Sequence, residues 1–194
     1  MRVGLAFLAG VIGGAVMILG VVIARAAGLT NLNLAMIWGS MFTRETTAGT
    51  WALGFVIHLV VSGLIALIYA AIFEAIRRSN WLLGLIGGAI HAVIGGLVFS
   101  ALPGIHPLMP DTIAAPGAFG INYGEATVAA FVVLHLIYGM IVGGMYTPVN
   151  VPRLTEVRKE RLPEEHVVGA GTPSRTPGTS DERDDTDRGT RPGV

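Results

Sequence analysis

Three histidines, His58, His91 and His135, stand inside long apolar stretches of this chain and are the only residues in their interiors that titrate near neutral pH. Imidazole can ligate a metal or a haem iron, relay protons, or hydrogen-bond a neighbouring helix and fix its packing. Polar side chains at membrane depth are costly, which makes each histidine a candidate functional residue. Ser62 follows His58 by four positions and Tyr138 follows His135 by three, so each shares its histidine's helical face. No two of the histidines share a metal-ligating spacing on one stretch, so any site has to be assembled across helices. A second constellation lies in Pro103-Gly104-Ile105-His106-Pro107-Leu108-Met109-Pro110-Asp111. There His106, Met109 and Asp111 could meet a metal, and an imidazole with a soft thioether would suit copper. The alternative is a proline-stiffened loop folded over the ends of the helices.

The elements that must position these residues follow from composition. The 194 residues are 52% hydrophobic and 13% charged, with no cysteine and a net charge of zero. A soluble domain carries about 25% charged residues. The charges are also segregated, because residues 1–150 hold nine of them and the remainder of the chain holds seventeen. An apolar body with a charged tail excludes an ordinary soluble enzyme. The absence of a basic surface excludes nucleic acid as a partner. Disulfides and cysteine-ligated metals are excluded with the cysteines.

A membrane helix needs about 20 mainly apolar residues. Four stretches qualify, at about 3–24, 51–76, 81–102 and 126–146, and Trp51, Trp81 and Tyr146 mark span ends. The expected fold is an all-α integral membrane protein, an antiparallel bundle of four transmembrane helices, with residues 151–194 as a largely disordered cytoplasmic tail. Ala24-Arg25-Ala26 also resembles a cleavage site after a signal sequence, although the first stretch is long for one and carries Ala6, Gly10 and Gly14 at close-packing spacing. Arg2, Arg77, Arg78 and the arginines and lysine of 153–161 fall on one side of the four-span arrangement, against Arg25 and Arg44 on the other. The positive-inside rule therefore places both termini in the cytoplasm. The hairpin of Arg77 to Asn80 is so short that the second and third spans should be antiparallel neighbours. Asn31 to Phe42 is apolar but too short to span and reads as an interfacial or re-entrant helix.

Counting about 1.5 Å per residue from the outer span ends puts His58, His135 and His91 at depths of about 10, 14 and 16 Å. Three imidazoles from three helices thus share nearly one level. Gly84, Gly87, Gly88, His91 and Gly95 share a face of the third span, where another backbone can come close. Glu74 is expected to pair with Arg77 or Arg78, three and four residues away, and Glu125 to favour the positive end of the last helix. No Walker sequence, nucleophile elbow or His-Glu-x-x-His is present, so enzymatic chemistry lacks support.

The order His58, Ser62, Tyr69, Glu74, then Trp81 and Gly84, then Pro107-Leu108-Met109, then His135-Leu136, resembles the YagU-like family of small bacterial inner-membrane proteins over about residues 50–146. The outer loop after the first span is shorter here, and His91 has no matching family position. The resemblance implies a multi-span inner-membrane protein and supplies no mechanism. The expected function is a non-enzymatic binding or accessory protein with an intramembrane histidine cluster able to hold haem or a transition metal. The alternative is a small transporter or channel with a histidine-lined path. The expected partners are the lipid bilayer and either another membrane protein or a second copy of the chain.

Overall fold

The computed structural model describes residues 1–149; the tail expected to be disordered lies outside them. The described residues are helical, without strands. The helices are α1 (Val3–Ala26), α2 (Leu34–Thr43), α3 (Ala48–Ile76), α4 (Trp81–Ala101) and α5 (Glu125–Met145), with short 3-10 turns at Leu102–Gly104 and Ala118–Tyr123. Four of them, all but α2, are long and apolar enough to cross a membrane.

Local sequence explains the boundaries. Thr47 starts α3 three residues before the expected span, because its hydroxyl accepts from the Thr50 amide at 3.2 Å. Asn33 caps α2 and Asn80 caps α4 in the same way. Arg77 ends α3 in the left-handed conformation, so the helical register that would bring it back to Glu74 is lost. Glu74 instead accepts from the Tyr146 hydroxyl at 2.6 Å and the Val149 amide at 3.1 Å, tying the end of α3 to the end of α5. The expected local pairing of Glu74 with Arg77 or Arg78 is not formed.

Small residues decide which helices meet. α1 packs against both α3 and α5, and α4 packs against α5. The expected Ala6, Gly10 and Gly14 stripe is buried, with Gly10 against the Ser62 backbone and Gly14 against the Ser62 side chain. A methyl group at Gly84 would strike the Gly139 carbonyl, and one at Gly88 the His135 carbonyl. The buried face of α4 is Gly84, Gly88, Ala92 and Gly96, so Gly87 and Gly95 flank the seam with α5. α2 lies on the start of α3, where Gly39 and Gly54 leave no room for a Cβ.

α3 and α4 are consecutive and joined by a four-residue turn. Their backbones nevertheless stay apart along most of their length, although the Tyr69 ring of α3 reaches Gly87 and His91 of α4. A space remains between them.

Candidate functional site: a cleft between α3 and α4

The space is a cleft of about 520 Å³. One face of α3 lines it with His58, Ser62, Ile65, Tyr69, Ile72 and Ile76, among others; α4 contributes Leu83, Gly87, Ile90, His91, Ile94 and Val98. These positions recur at three- and four-residue spacing, so each helix turns one continuous stripe toward the cleft. Phe131, Leu134 and His135 of α5 form its floor, with Met17 and Val21 of α1. Its rim is apolar and open to the side. Ile68, Ile72, Ile86, Ile90 and Ile94 line it and are each more than half exposed, on helices long and apolar enough to cross a membrane. Among the described residues no lysine, arginine, aspartate or glutamate lines the cleft.

The floor is aromatic and polar. The His91 and His135 rings meet edge to face with centroids 4.8 Å apart. His91 also lies 5.5 Å from the Tyr138 ring and 6.2 Å from that of Tyr69. His135 Nδ1 lies 2.7 Å from the Phe131 carbonyl one turn back. A carbonyl only accepts, so Nδ1 carries the proton and Nε2 keeps its lone pair. His58 is buried, with Nε2 at 3.4 Å from the Ser62 hydroxyl. Two polar atoms here have no hydrogen-bond partner among the described residues, Tyr69 Oη and His91 Nδ1. Both residues line the cleft, but these two atoms are themselves covered by protein, and Tyr69 is only 7% exposed. A buried polar atom without a partner costs about 1–3 kcal/mol.

The sequence-derived candidates separate on this geometry. His58, Ser62, His91 and His135 line the cleft. Tyr138 does not. It is completely buried beneath the floor, and its hydroxyl donates to the Ser62 carbonyl at 2.5 Å, joining α5 to α3. Tyr69 was not among the candidates, although the spacing of 58, 62 and 69 places it on the histidine stripe of α3. Among the described residues no group of three or more His, Asp or Glu side chains is arranged to hold a metal ion. A haem would also bring carboxylates, and among the described residues no cation lines the cleft to receive them.

The outer constellation is a loop anchor. His106 is 3% exposed. Its Nε2 donates to the Ile37 carbonyl at 3.0 Å, and its Nδ1 accepts from the Leu108 amide at 3.2 Å. Both ring nitrogens are thereby committed to protein partners, pinning the loop onto α2. Met109 is buried in the core while Asp111 is exposed, so the three residues do not form the ligand set considered from the sequence. Neither a protein-family model, nor a curated protein, nor a solved structure matches the chain.

Proposed function

We propose that this is a multi-pass protein of the bacterial inner membrane, an antiparallel four-span bundle with both termini cytoplasmic, that binds a small lipid-soluble molecule in the cleft between α3 and α4. The observation that carries this reading is an apolar cleft open to the side, with His58, Ser62, His91 and His135 among the residues that line it. Ligand sites are mostly apolar pockets of about 300–1,000 Å³ with a few polar groups, and this cleft has apolar walls and a few polar residues along them. His91, His135 and His58 act as hydrogen-bonding groups of the floor rather than as a ligand set for a metal. Arg2, Arg77 and Arg78 support the orientation, and the resemblance to the YagU-like family supports the membrane without adding a ligand. The alternative of a channel or transporter would need a polar path through the bundle. The opening toward lipid favours binding.

The test is photolabelling in nanodiscs with a diazirine-bearing alkane, mapped by mass spectrometry. The expected result is labelling concentrated on Ile65, Ile90 and Ile94 and abolished by Ile90→Trp. Labelling spread evenly over all lipid-facing residues would overturn the reading.

A further inference from the structure

A second cavity, of about 430 Å³, opens where α1, α2 and the start of α3 come together. α1 and α2 touch at few points, because α2 gives its close contacts to α3, with Gly39 against the Thr50 carbonyl and Gly54 against the Ala35 carbonyl. The gap left beside α1 is this cavity. Ile18, Val21, Val22 and Arg25 line it from α1, Asn33 from the cap of α2 and Trp51 from near the start of α3. The four α1 positions recur at three- and four-residue spacing, so they form one stripe with its cation at the end. Arg25 is the last residue but one of a helix long and apolar enough to cross a membrane. Its guanidinium therefore stands at the level of lipid head groups, where Trp51 also fits. Ile18, seven residues back, lies about 10 Å deeper.

The polar side chains on this rim offer protons. Arg25 Nη1 donates to the Asn31 carbonyl at 2.5 Å, which folds the guanidinium back over the loop. A guanidinium carries several more N–H groups, and Arg25 makes no other side-chain hydrogen bond and no ion pair among the described residues. Asn33 commits its Oδ1 to the Met36 amide at 3.2 Å, leaving its Nδ2 as a donor, and the Trp51 indole can only donate. Asn31 and Asn33 are two residues apart, at most about 7 Å along the chain, so the guanidinium and the Asn33 amide share one rim. Among the described residues no aspartate or glutamate lines the cavity.

A cation among donors complements an anion, and an arginine fork suits a phosphate in particular. An apolar stripe leading about 10 Å below it complements hydrocarbon. A phospholipid carries both in one molecule. The ammonium of a zwitterionic head would find no carboxylate here, so a head with net negative charge fits better. We propose that this groove binds an anionic phospholipid, its phosphodiester on Arg25 and Asn33 and the upper part of an acyl chain along Ile18, Val21 and Val22. The site is separate from the cleft between α3 and α4, although Val21, Leu32 and Leu34 line both cavities.

The test is native mass spectrometry of the delipidated full chain in detergent, titrated with dioleoylphosphatidylglycerol or dioleoylphosphatidylcholine. The phosphatidylglycerol adduct is expected at lower lipid concentration, and Arg25→Gln should weaken it about tenfold. Val22→Trp, which fills the groove and keeps the arginine, should weaken it as well. Arg25 and Val22 are exposed, so both variants should keep the parent's thermal midpoint in lipid-free detergent. Arg44→Gln removes an exposed arginine outside the cavity and should change nothing, as should Ile90→Trp in the other cleft. Glycerol 3-phosphate, a head without chains, should not displace the lipid. Equal losses in Arg25→Gln and Arg44→Gln, or phosphatidylcholine held as tightly as phosphatidylglycerol, would overturn the head-group assignment. Displacement by glycerol 3-phosphate would make the rim a site for free phosphate and overturn the lipid. Loss of the adduct in Ile90→Trp alone would move the lipid to the α3–α4 cleft, so that this site fails while the cleft stands.

Discussion

Replacing Tyr69 by phenylalanine should make the ligand-free protein more stable, an unusual direction for a buried substitution. The ring contacts with Phe73, His91 and Tyr138, at centroid distances of 6.2, 6.2 and 5.8 Å, survive the change. Only the hydroxyl is lost, and that hydroxyl has no partner among the described residues. An unsatisfied buried polar group costs about 1–3 kcal/mol, so removing it should return roughly 1–2 kcal/mol. For a chain of this size each kcal/mol moves the midpoint by about 2–4 °C. Tyr138→Phe is the matched control. It is the same chemical change on a ring that packs against Tyr69, but here the hydroxyl donates to the Ser62 carbonyl at 2.5 Å. That variant should lose about 1 kcal/mol. The assay is thermal unfolding in detergent without added ligand, on both variants and the parent. Opposite signs are the expected result. A Tyr69→Phe protein no more stable than the parent would show that the hydroxyl is satisfied.

The other predictions concern packing, the outer loop and orientation. Gly88→Leu should destabilise the protein far more than Gly95→Leu, because a Cβ at Gly88 meets the His135 backbone whereas at Gly95 it meets the side chains of Phe131 and His135 at 3.2–3.3 Å; equal midpoints in detergent would contradict the α4–α5 seam. His106→Ala should cost about 1–3 kcal/mol by freeing the Ile37 carbonyl and the Leu108 amide, and proteolysis of the loop should accelerate; an unchanged cleavage rate would show that His106 does not hold the loop. The chain has no cysteine, so Arg78→Cys and Glu45→Cys report cleanly on sidedness. An impermeant maleimide applied to intact cells should label position 45 and spare position 78, and the reverse pattern would invert the proposed orientation.

The spans were legible because lipid demands one property along 20 residues, and hydropathy reads it directly; the helices begin and end within about three residues of the stretches read from sequence. The short helix at Leu34–Thr43 was legible for the same reason, being apolar yet too short to cross. The closeness of His91 and His135 followed from their depth and from the glycines beside them. Spacing places Tyr69 on the histidine stripe, but only the packed structure shows that its hydroxyl has no partner among the described residues. The role of His106 was equally hidden. Its partners are a carbonyl of α2, 69 residues away, and an amide two residues on, and neither leaves a mark in side-chain spacing.

The arrangement of α3 and α4 shows what a short turn does and does not decide in this chain. A four-residue turn keeps the two helix ends together but says nothing about which faces can approach. In lipid there is little hydrophobic drive between helices, so close contact goes to backbones that small residues leave bare. α3 carries Gly63, Ala66 and Ala70 among its buried residues, and α1 answers with Ala6, Gly10 and Gly14. α4 carries Gly84, Gly88, Ala92 and Gly96, and α5 answers with Gly139 and Gly143. Each helix of the hairpin is thus drawn toward a different neighbour. The faces they turn to one another are dominated by isoleucine, whose branched side chains keep backbones apart. The cleft is the consequence of that division, and the hairpin turn closes one end of it. Bringing the isoleucine walls together would require α3 to leave α1 or α4 to leave α5. Either move would give up a glycine-mediated seam, so the space between the walls is built into the distribution of small residues along the chain.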